Sequence, residues 1–454
     1  MSGYAVTNPS TGEVLAEYPF ATDAQVEAAI AAADSAYRSW ARTTSPEARA
    51  ALVRKVAQLH RERLDELAAI AVREMGKPLS HATGEVEFAA DITEYYADNW
   101  EKITGDTPLE ILGEGTAVIR RGPIGALLGI MPWNFPYYQV ARFAAPNVVL
   151  GNTIILKHDP HCPESSAAMA QMYADAGFPE GVFVNLYATN EQAASIVADR
   201  RVHGVSVTGS ERAGAAVAAV AGANLKKVAL ELGGSDPFIV LSTDDLGAVV
   251  DQAVEARLDN SGQSCNAPKR FIVIEALYDD FVAKFAEAMD AAVMADGFED
   301  PTIGPLSSDL AAERLEGQVN RAVAQGATLV TGGTRDGAFF RPTVLTNVTP
   351  EMDVFREELF GPASVIYKVA SEREAVDLAN ATDYGLGSYV YTTDPAQAER
   401  VAEAIDAGMV YVNCVLQDSP ELPFGGVKRS GTSREMGLLA ADEFVNKKLI
   451  RTAP

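Results

Sequence analysis

One cysteine in a polar turn is the strongest candidate for a reactive group. Cys265 lies in NSGQSCNAPKR, residues 260–270. A structural cysteine prefers apolar neighbours, because a neutral thiol behaves as a small hydrophobe. Cys265 instead has polar neighbours, on a loop predicted between a helix and a strand. This setting suits a thiolate nucleophile, although the cysteine taken alone could equally be an inert loop residue.

Two other polar side chains occur in settings that favour catalysis. Glu231, in LELGGS, follows a leucine-rich strand, where loss of water would raise its pKa and suit a general base. Asn134, in MPWNFP, stands between aromatic residues and prolines, and a rigidly held amide N–H suits an oxyanion hole. The alternatives are a solvated glutamate at a strand end and an aromatic turn at a domain interface.

The segment VSVTGSERAG, residues 205–214, predicts a strand, a glycine turn and a helix. Backbone N–H groups at such a turn can bind a phosphate or the pyrophosphate of a cofactor. The segment is neither GxGxxG nor GxxxxGK[ST], so a simple connection between elements is the alternative.

Length, charge and cysteine usage exclude several classes of function. The 454 residues are enough for two or three domains. The net charge of −25 disfavours binding to nucleic acid or to an anionic membrane surface. The three cysteines form no CxxC, so we expect no disulfide framework. His158 and His161 have a spacing that fits known metal sites poorly, and we expect no metal.

The sequence also predicts a cytoplasmic location. Residues 1–9 lack the basic and apolar regions of a signal peptide. The most apolar run, residues 124–140, is interrupted by glycines, prolines and amides and is too short to cross a bilayer.

Apolar periodicity divides the chain into a helical start and two alternating segments. Helices are predicted from Ala24 to Trp40 and from Pro46 to a stop at MGKP, residues 75–78. Short apolar strands then alternate with helices over residues 124–230 and again over residues 237–413. This alternation is typical of parallel sheets covered on both faces, so we expect an α/β protein with two such sheets.

Seven motifs in order make the sequence similar to the NAD(P)-dependent aldehyde dehydrogenase superfamily, and within it to the shorter bacterial succinate-semialdehyde dehydrogenases. They are PWNFP at 132–136, the lysine of ILK at 157, TGS at 208–210, LELGGS at 230–235, GQSC at 262–265, EELFGP at 357–362 and PFGGVKRSG at 423–431. The motifs extend over almost the whole chain, which makes the set far more specific than any one of them. The resemblance implies oxidation of an aldehyde to a carboxylic acid, with succinic semialdehyde as the expected substrate.

The resemblance also implies a role for each motif residue. Cys265 would attack the aldehyde carbon, and Asn134 with the Cys265 backbone amide would bind the oxyanion. Glu231 would activate the water that hydrolyses the thioester, so that covalent capture divides one difficult step into two easier ones. The residues expected to bind the cofactor are Trp133, Lys157, Pro160, Gly209, Ser210, Leu232, Glu358 and Phe360.

The expected cofactor is NADP, with NAD also accepted. Many NAD-preferring relatives carry a glutamate three residues after the lysine that corresponds to Lys157, and its charge would repel a 2′-phosphate. Pro160 occupies that position here, so this repulsion is missing, although Asp159 could partly restore it.

Arg142 and Ser419 are the expected contacts for a distal carboxylate of the substrate. Arg142 is eight residues after Asn134, where the family lines its substrate tunnel, and arginine pairs well with carboxylates. Ser419 corresponds to an assisting hydroxyl. Asp259 occupies a position where longer relatives carry a second arginine, which weakens the case for an anionic substrate. A surface salt bridge is the alternative role for Arg142.

Three other functions compete with this interpretation. The first is oxidation of a neutral aliphatic or aromatic aldehyde, with Tyr137 and Tyr138 lining the tunnel. The second is transfer of the acyl group to coenzyme A, against which Glu231 argues because such enzymes can omit a hydrolytic base. The third is a non-catalytic binding or structural protein on the same scaffold, against which the joint presence of Cys265, Glu231, Asn134 and Lys157 argues.

The domain boundaries follow from the resemblance. Residues 1–104 and 124–233 would form a doubly wound, parallel-sheet cofactor domain, and residues 234–432 an α/β catalytic domain. Residues 105–123 and 433–454 would form a small oligomerisation sheet, because the strand candidates in them would otherwise be exposed edges. A homodimer or homotetramer is expected.

Overall fold

Strands and helices alternate through most of the chain, which confirms the predicted α/β class. The structure is a computed structural model that describes residues 3–454; Met1 and Ser2, which open the predicted segment 1–104, lie outside the described residues.

The strands are β1 (Gly3–Thr7), β2 (Val14–Pro19), β3 (Thr107–Leu109), β4 (Thr116–Pro123), β5 (Ala126–Met131), β6 (Thr153–His158), β7 (Phe183–Asn185), β8 (Val202–Thr208), β9 (Lys227–Glu231), β10 (Asp236–Val240), β11 (Pro268–Ile274), β12 (Thr328–Thr331), β13 (Arg335–Asp336), β14 (Phe339–Phe340), β15 (Thr343–Thr346), β16 (Ala363–Val369), β17 (Tyr389–Tyr391), β18 (Tyr411–Val412) and β19 (Val445–Thr452). The α-helices are α1 (Asp23–Thr43), α2 (Pro46–Glu62), α3 (Leu64–Met75), α4 (Leu79–Asp98), α5 (Trp100–Thr104), α6 (Tyr138–Leu150), α7 (Pro163–Asp175), α8 (Asn190–Ala198), α9 (Glu211–Ala223), α10 (Leu246–Leu258), α11 (Glu275–Asp290), α12 (Asp309–Ala324), α13 (Glu372–Asn380) and α14 (Pro395–Ala404).

The first sheet is parallel and has the strand order β7-β6-β5-β8-β9. Successive strands run outward from β5 to β7, and the chain then returns to place β8 on the other side of β5. Open α/β sheets bind ligands beyond the carboxyl ends of their strands at such a reversal. The crevice between the ends of β5 and β8 is therefore the natural place for a cofactor.

The second sheet has the order β12-β15-β16-β11-β10-β17-β18, and its pairings are parallel except for β12 with β15. Alternate side chains of its strands enter different apolar clusters, since successive residues of a strand face opposite sides. Phe238 and Phe271 pack on one face, and Ile239 and Ile272 pack on the other. Both faces are thus buried, as the alternation of strands and helices predicted.

A third, antiparallel sheet joins distant parts of the sequence in the order β19-β4-β3. β19 pairs with β4 along its whole length, from Thr452 opposite Thr116 to Val445 opposite Pro123. The strand candidate predicted within residues 433–454 therefore pairs with the one predicted within residues 105–123.

The start of the chain differs from the prediction in two ways. Residues 3–19 contain an antiparallel hairpin of β1 and β2, which apolar periodicity did not indicate because β2 is largely exposed. The single helical run predicted from Pro46 is divided into α2 and α3 at Arg63, whose backbone is not helical (φ −110°, ψ 19°). Its predicted end is correct, because Gly76 adopts the left-handed conformation (φ 80°) that terminates many helices.

Helices α4 and α6 pack together and contribute to the largest apolar cluster. Val86 and Ala89 of α4 and Val140 and Ala144 of α6 are all fully buried there. No helix within residues 3–454 is both long enough and apolar enough to span a membrane.

Asn152 connects the first sheet to the C-terminal tail, and its replacement should lower stability. Its fully buried side chain accepts the N–H groups of Ile124 and Gly125 and donates to Asn147 and to the Phe444 carbonyl. Asn152→Ala leaves these groups unpaired, so the free energy of unfolding in urea should fall by about 3 kcal/mol. Asn224→Ala, at an exposed helix end, is the control and should change it by less than about 0.5 kcal/mol. Equal effects of the two changes would contradict this account.

Candidate active site

The loop that carries Cys265 has an unusual backbone. In this nucleophile loop, residues 259–267, Asn260 (φ 52°), Ser261 (φ 58°) and Gly262 (φ 74°) are left-handed in succession. For residues with a side chain this conformation costs on the order of 1–3 kcal/mol each, and such strain is concentrated at functional sites. The surrounding structure must therefore hold the loop in place.

Buried hydrogen bonds supply that support. Asn260 Nδ2 donates to the Asn134 carbonyl at 2.8 Å, which ties the loop to the segment after β5. Arg257, at the end of α10, is fully buried and donates to the carbonyls of Gly262 at 2.6 Å and Pro268 at 2.9 Å. The loop is thus held on one side by the segment after β5 and on the other side by α10.

Cys265 lines a cavity of about 380 Å³ between α4, α6 and the nucleophile loop. Phe88, Phe135 and Tyr138 contribute aromatic walls. Burial raises the pKa of the Cys265 thiol to about 12, against which the cations of Arg142 and Lys269 act. The thiol of the free protein is therefore protonated near pH 7.

Asn134 lies beside the nucleophile loop, as its predicted role requires. Its Nδ2 donates to the Gln263 carbonyl at 2.9 Å, and its Oδ1 accepts from Gln139 Nε2 at 3.2 Å. The bond to Oδ1 fixes the orientation of the amide, so Nδ2 faces the loop. Because a primary amide carries two N–H bonds, a second donor remains for a ligand.

Glu231 ends β9 but does not line the Cys265 cavity. Its Oε1 accepts the Ser433 hydroxyl at 2.7 Å, and among residues 3–454 its buried Oε2 has no hydrogen-bond partner. Burial, and then the neighbouring charge of Glu435, raise the pKa of Glu231 well above its usual range. In this conformation Glu231 is held by Ser433 and lies outside the cavity that Cys265 lines.

Arg142 does not line the cavity, which differs from the expectation of a direct substrate contact. Its guanidinium is fully buried and pairs with Glu435, and its Nη1 donates to the Tyr138 hydroxyl at 2.5 Å. Tyr138 stands between Arg142 and the cavity. The reason is electrostatic, because a buried arginine requires a counter-charge and Glu435 supplies it. The alternative of a surface salt bridge is also wrong, since the pair is internal.

Asp418 rather than Ser419 lines the cavity. The Asp418 carboxylate accepts from Tyr411 Oη and from Asn266 Nδ2, and burial raises its pKa. Asp259 and Glu85 also line the cavity, and Glu85 pairs with Lys77. Ser419, whose hydroxyl was expected to contact the substrate, therefore does not line the cavity, whereas the residue before it does.

His81 presents a hydrogen-bond donor in the same cavity. Its Nδ1 accepts the Asn260 N–H at 3.1 Å, so the neutral ring carries its proton on Nε2. Burial lowers the pKa of His81, which keeps the ring neutral near pH 7.

The residues expected to bind the cofactor follow the carboxyl ends of neighbouring strands. Trp133 follows β5, Lys157 is the penultimate residue of β6, Gly209 follows β8 and Leu232 follows β9. Within residues 3–454, Lys157 Nζ makes no hydrogen bond, and a Cβ added at Gly209 would meet no atom within 4 Å. A free cation and open space at the crevice of the first sheet fit a dinucleotide.

The other expected cofactor residues lie around this crevice. Ser210 accepts the Ala213 N–H and caps α9, while the Pro160 carbonyl accepts the Ala5 N–H. Phe360 packs edge to face on Trp133, with ring centres 5.7 Å apart, and Glu358 accepts the Gly234 N–H at 3.0 Å.

Comparison with known proteins decides the family. The profile of the aldehyde dehydrogenase family matches residues 2–450. The chain belongs to this family. It is an enzyme, an NAD(P)-dependent aldehyde dehydrogenase, and both the predicted activity class and the predicted fold are confirmed.

Two similar sequences carry the name succinate-semialdehyde dehydrogenase (NADP+). The protein from Deinococcus radiodurans is 49% identical over 99% of this chain and 95% of its own length. The protein from Mycobacterium avium is 43% identical over 98% of this chain and 96% of its own. A solved structure of succinic semialdehyde dehydrogenase from Streptococcus pyogenes with NADP+ has a TM-score of 0.97 at 39% identity, covering 99% of this chain and 100% of that one.

Several side chains of the site carried no signal in the sequence. Lys269, Arg257 and Glu435 are buried charged residues, and none of them belongs to one of the seven motifs. His81 lies on α4, far from Cys265 in the sequence, so only the fold brings it to the cavity. Asp418 adjoins Ser419 in a loop, and the path of that loop, which decides between the two, was not predictable.

Replacing Glu231 should separate acylation from hydrolysis. Because its pKa is raised, the carboxylate forms only as pH rises, so kcat should increase with pH where hydrolysis limits turnover. Glu231→Gln should lower kcat at least about 100-fold and abolish this increase. A stoichiometric burst of reduced cofactor, measured by stopped-flow absorbance, should remain. Loss of the burst together with turnover would show that Glu231 is not the hydrolytic base.

Proposed function

We propose that the protein oxidises succinic semialdehyde to succinate with NADP as the preferred cofactor. Cys265 gives its thiol proton to solvent as Sγ bonds to the aldehyde carbon, and the resulting oxyanion accepts hydrogen bonds from Asn134 Nδ2 and from the Cys265 backbone N–H. The bound nicotinamide cofactor supplies a hydride acceptor. Glu231 then removes a proton from the water that attacks the thioester, and the acid and the thiol are released.

The contact between Arg142 and Tyr138 is the observation that supports an anionic substrate. The Tyr138 hydroxyl accepts a hydrogen bond from Arg142, so its own proton is free to be donated. Tyr138 lines the cavity with Cys265, and His81 contributes a second neutral donor there. Arg142 therefore acts on the substrate carboxylate through Tyr138, not by direct contact. The names of the similar proteins agree with this substrate.

A neutral aldehyde is the second candidate, and one specific observation favours it. Asp259 and Asp418 both line the cavity, and their carboxylates would repel a second carboxylate. The charge of Arg142 is meanwhile balanced by Glu435. An uncharged chain of similar length would avoid the repulsion and would pack on Phe88 and Phe135.

Tyr138→Phe distinguishes the two candidates. Loss of the hydroxyl should raise KM for succinic semialdehyde about tenfold, because a hydrogen bond to a charged group is removed, and should leave KM for butanal unchanged. Tyr137→Phe is the matched control, since its hydroxyl donates to the Leu67 carbonyl. A wild-type kcat/KM that is higher for butanal than for succinic semialdehyde would favour the neutral substrate.

The preference for NADP is supported by Lys157 and its surroundings. Asp159 could have repelled a 2′-phosphate, but its carboxylate accepts from the His161 backbone N–H and pairs with the His161 ring at 2.7 Å. Pro160 brings no charge. The similar proteins are named for NADP+, and the Streptococcus pyogenes structure contains it.

Steady-state kinetics with both cofactors tests this preference. We expect kcat/KM to be higher with NADP than with NAD, and Lys157→Met to lower the value for NADP more than that for NAD. A preference of the wild-type protein for NAD by a hundredfold or more would overturn the assignment.

We also propose a cytoplasmic homodimer or homotetramer with the domain boundaries given above. The small sheet supports this assembly, because β3 and β19 are its edge strands and Leu109 and Leu449 on them are exposed. Exposed strand edges of this kind invite pairing with another chain. Size-exclusion chromatography with light scattering measures the assembly directly.

A further inference from the structure

One buried lysine contacts the backbone on both sides of the nucleophile. Lys269, on β11, is 1% exposed. Its Nζ donates to the carbonyls of Cys265 at 2.6 Å and Ser264 at 2.9 Å, and lies 3.5 Å from Glu358 Oε1. An ammonium group has three donors, and two of them bind these carbonyls, while the Glu358 contact is an ion pair. Lys269 therefore interacts with the nucleophile loop by hydrogen bonds and with Glu358 by charge.

The bond to Ser264 acts on the peptide group that contains the Cys265 N–H. A trans peptide is planar, with its C=O and N–H pointing in opposite directions. When Lys269 binds the Ser264 oxygen, it fixes the direction of the Cys265 N–H on the other side of that plane. A cation on the oxygen also polarises the peptide, which makes its N–H a stronger donor. This N–H is the backbone donor of the proposed oxyanion hole.

The contact with Glu358 brings a third segment to the same point. Glu358 Oε1 accepts the Gly234 N–H at 3.0 Å. A Cβ at Gly234 would lie 2.5 Å from the Cys265 carbonyl oxygen, so only glycine permits this approach. The segments around Gly234, Cys265 and Glu358 thus meet at the Lys269 ammonium group.

We propose that Lys269 is a positioning residue that orients the Cys265 N–H for the oxyanion and links the nucleophile loop to the cofactor-binding Glu358. The inference rests on the proposed function, in which Cys265 is the nucleophile and Glu358 binds the cofactor. Lys269 also places a positive charge near the thiol. Its loss should therefore weaken the nucleophile, the oxyanion site and cofactor binding together.

A charged residue is needed here for a physical reason. Burying an ammonium group costs several kcal/mol, and neutral side chains can hold a loop without that cost. Nearby Asp236 has two buried carboxylate oxygens without a hydrogen-bond partner among residues 3–454, and burial raises its pKa to about 7. Lys269 contacts Glu358, and its positive charge favours the ionised form of the Glu358 carboxyl group.

Thiol alkylation tests the inference independently of turnover. Lys269→Met removes the charge at similar volume and should lower the rate of Cys265 alkylation by iodoacetamide at pH 8.5 at least about tenfold, since the thiol pKa rises when a nearby cation is lost. It should also lower kcat about 100-fold, as expected for a weakened oxyanion donor, and raise KM for the cofactor. Alkylation is followed by mass spectrometry of the peptide that contains Cys265.

Two further variants separate this role from a purely structural one. Arg49→Met removes another buried cation that donates to backbone carbonyls, including those of Val149 and Leu150, away from the cavity, and should lower Tm without changing the alkylation rate of Cys265. Glu358→Gln removes a negative charge near the thiol and should accelerate alkylation severalfold.

The outcomes are decisive in either direction. An alkylation rate of Lys269→Met equal to that of the wild type would overturn the proposal. Should Lys269→Met not fold, an unchanged alkylation rate in Glu358→Gln would overturn it instead. If no aldehyde is oxidised by the wild-type protein, the proposed function fails, while the alkylation rates still decide the position of Lys269 relative to the thiol.

Discussion

The left-handed turn at residues 260–262 is the constraint on which the site depends. Two residues with side chains adopt a conformation there that is unfavourable for them. The turn persists because Arg257 and Asn260 bind carbonyl groups across the loop and the interface between the sheets. The bond from Asn260 to the Asn134 carbonyl joins Asn134, the proposed oxyanion donor, and the loop of the proposed nucleophile Cys265 into one rigid unit. The geometry of the site therefore depends on how the two α/β halves pack together.

Three buried cations near this unit have partners. Arg142 pairs with Glu435, Lys269 contacts Glu358, and Arg257 is held by carbonyl groups. An unpaired ion in such surroundings would cost several kcal/mol, so the pairs constrain one another and the loops that carry them. The candidate reactive groups differ in this respect, because burial raises the pKa of both Cys265 and Glu231 and so favours their neutral forms. The supports of the loop are therefore charged and paired, whereas burial opposes charge on the two candidate reactive groups.

The sequence predicted what depends on local pattern. Alternating strands and helices gave the class of fold, and the order of motifs gave the family, because both are properties of consecutive residues. The partner of Arg142 was not predictable, since Glu435 reaches it only after the tail folds back along β4. Lys269 reads as an ordinary residue at the start of a strand, and its role is visible only when the segments around Gly234 and Glu358 converge on it. Whether Asp418 or Ser419 faces the cavity depends on the path of a single loop, and the periodicity of apolar residues does not specify that path.

Arg142 contacts both Tyr138, a wall of the Cys265 cavity, and Glu435, a neighbour of the proposed hydrolytic base Glu231. In the proposed mechanism, substrate selectivity and release of the product therefore depend on one side chain. Under that mechanism, replacing this arginine to broaden the range of aldehydes would also disturb deacylation, so one property would be gained at the expense of the other. Asp259 and Asp418 face the cavity without contacting Glu231, which makes them the safer positions at which to retune the enzyme.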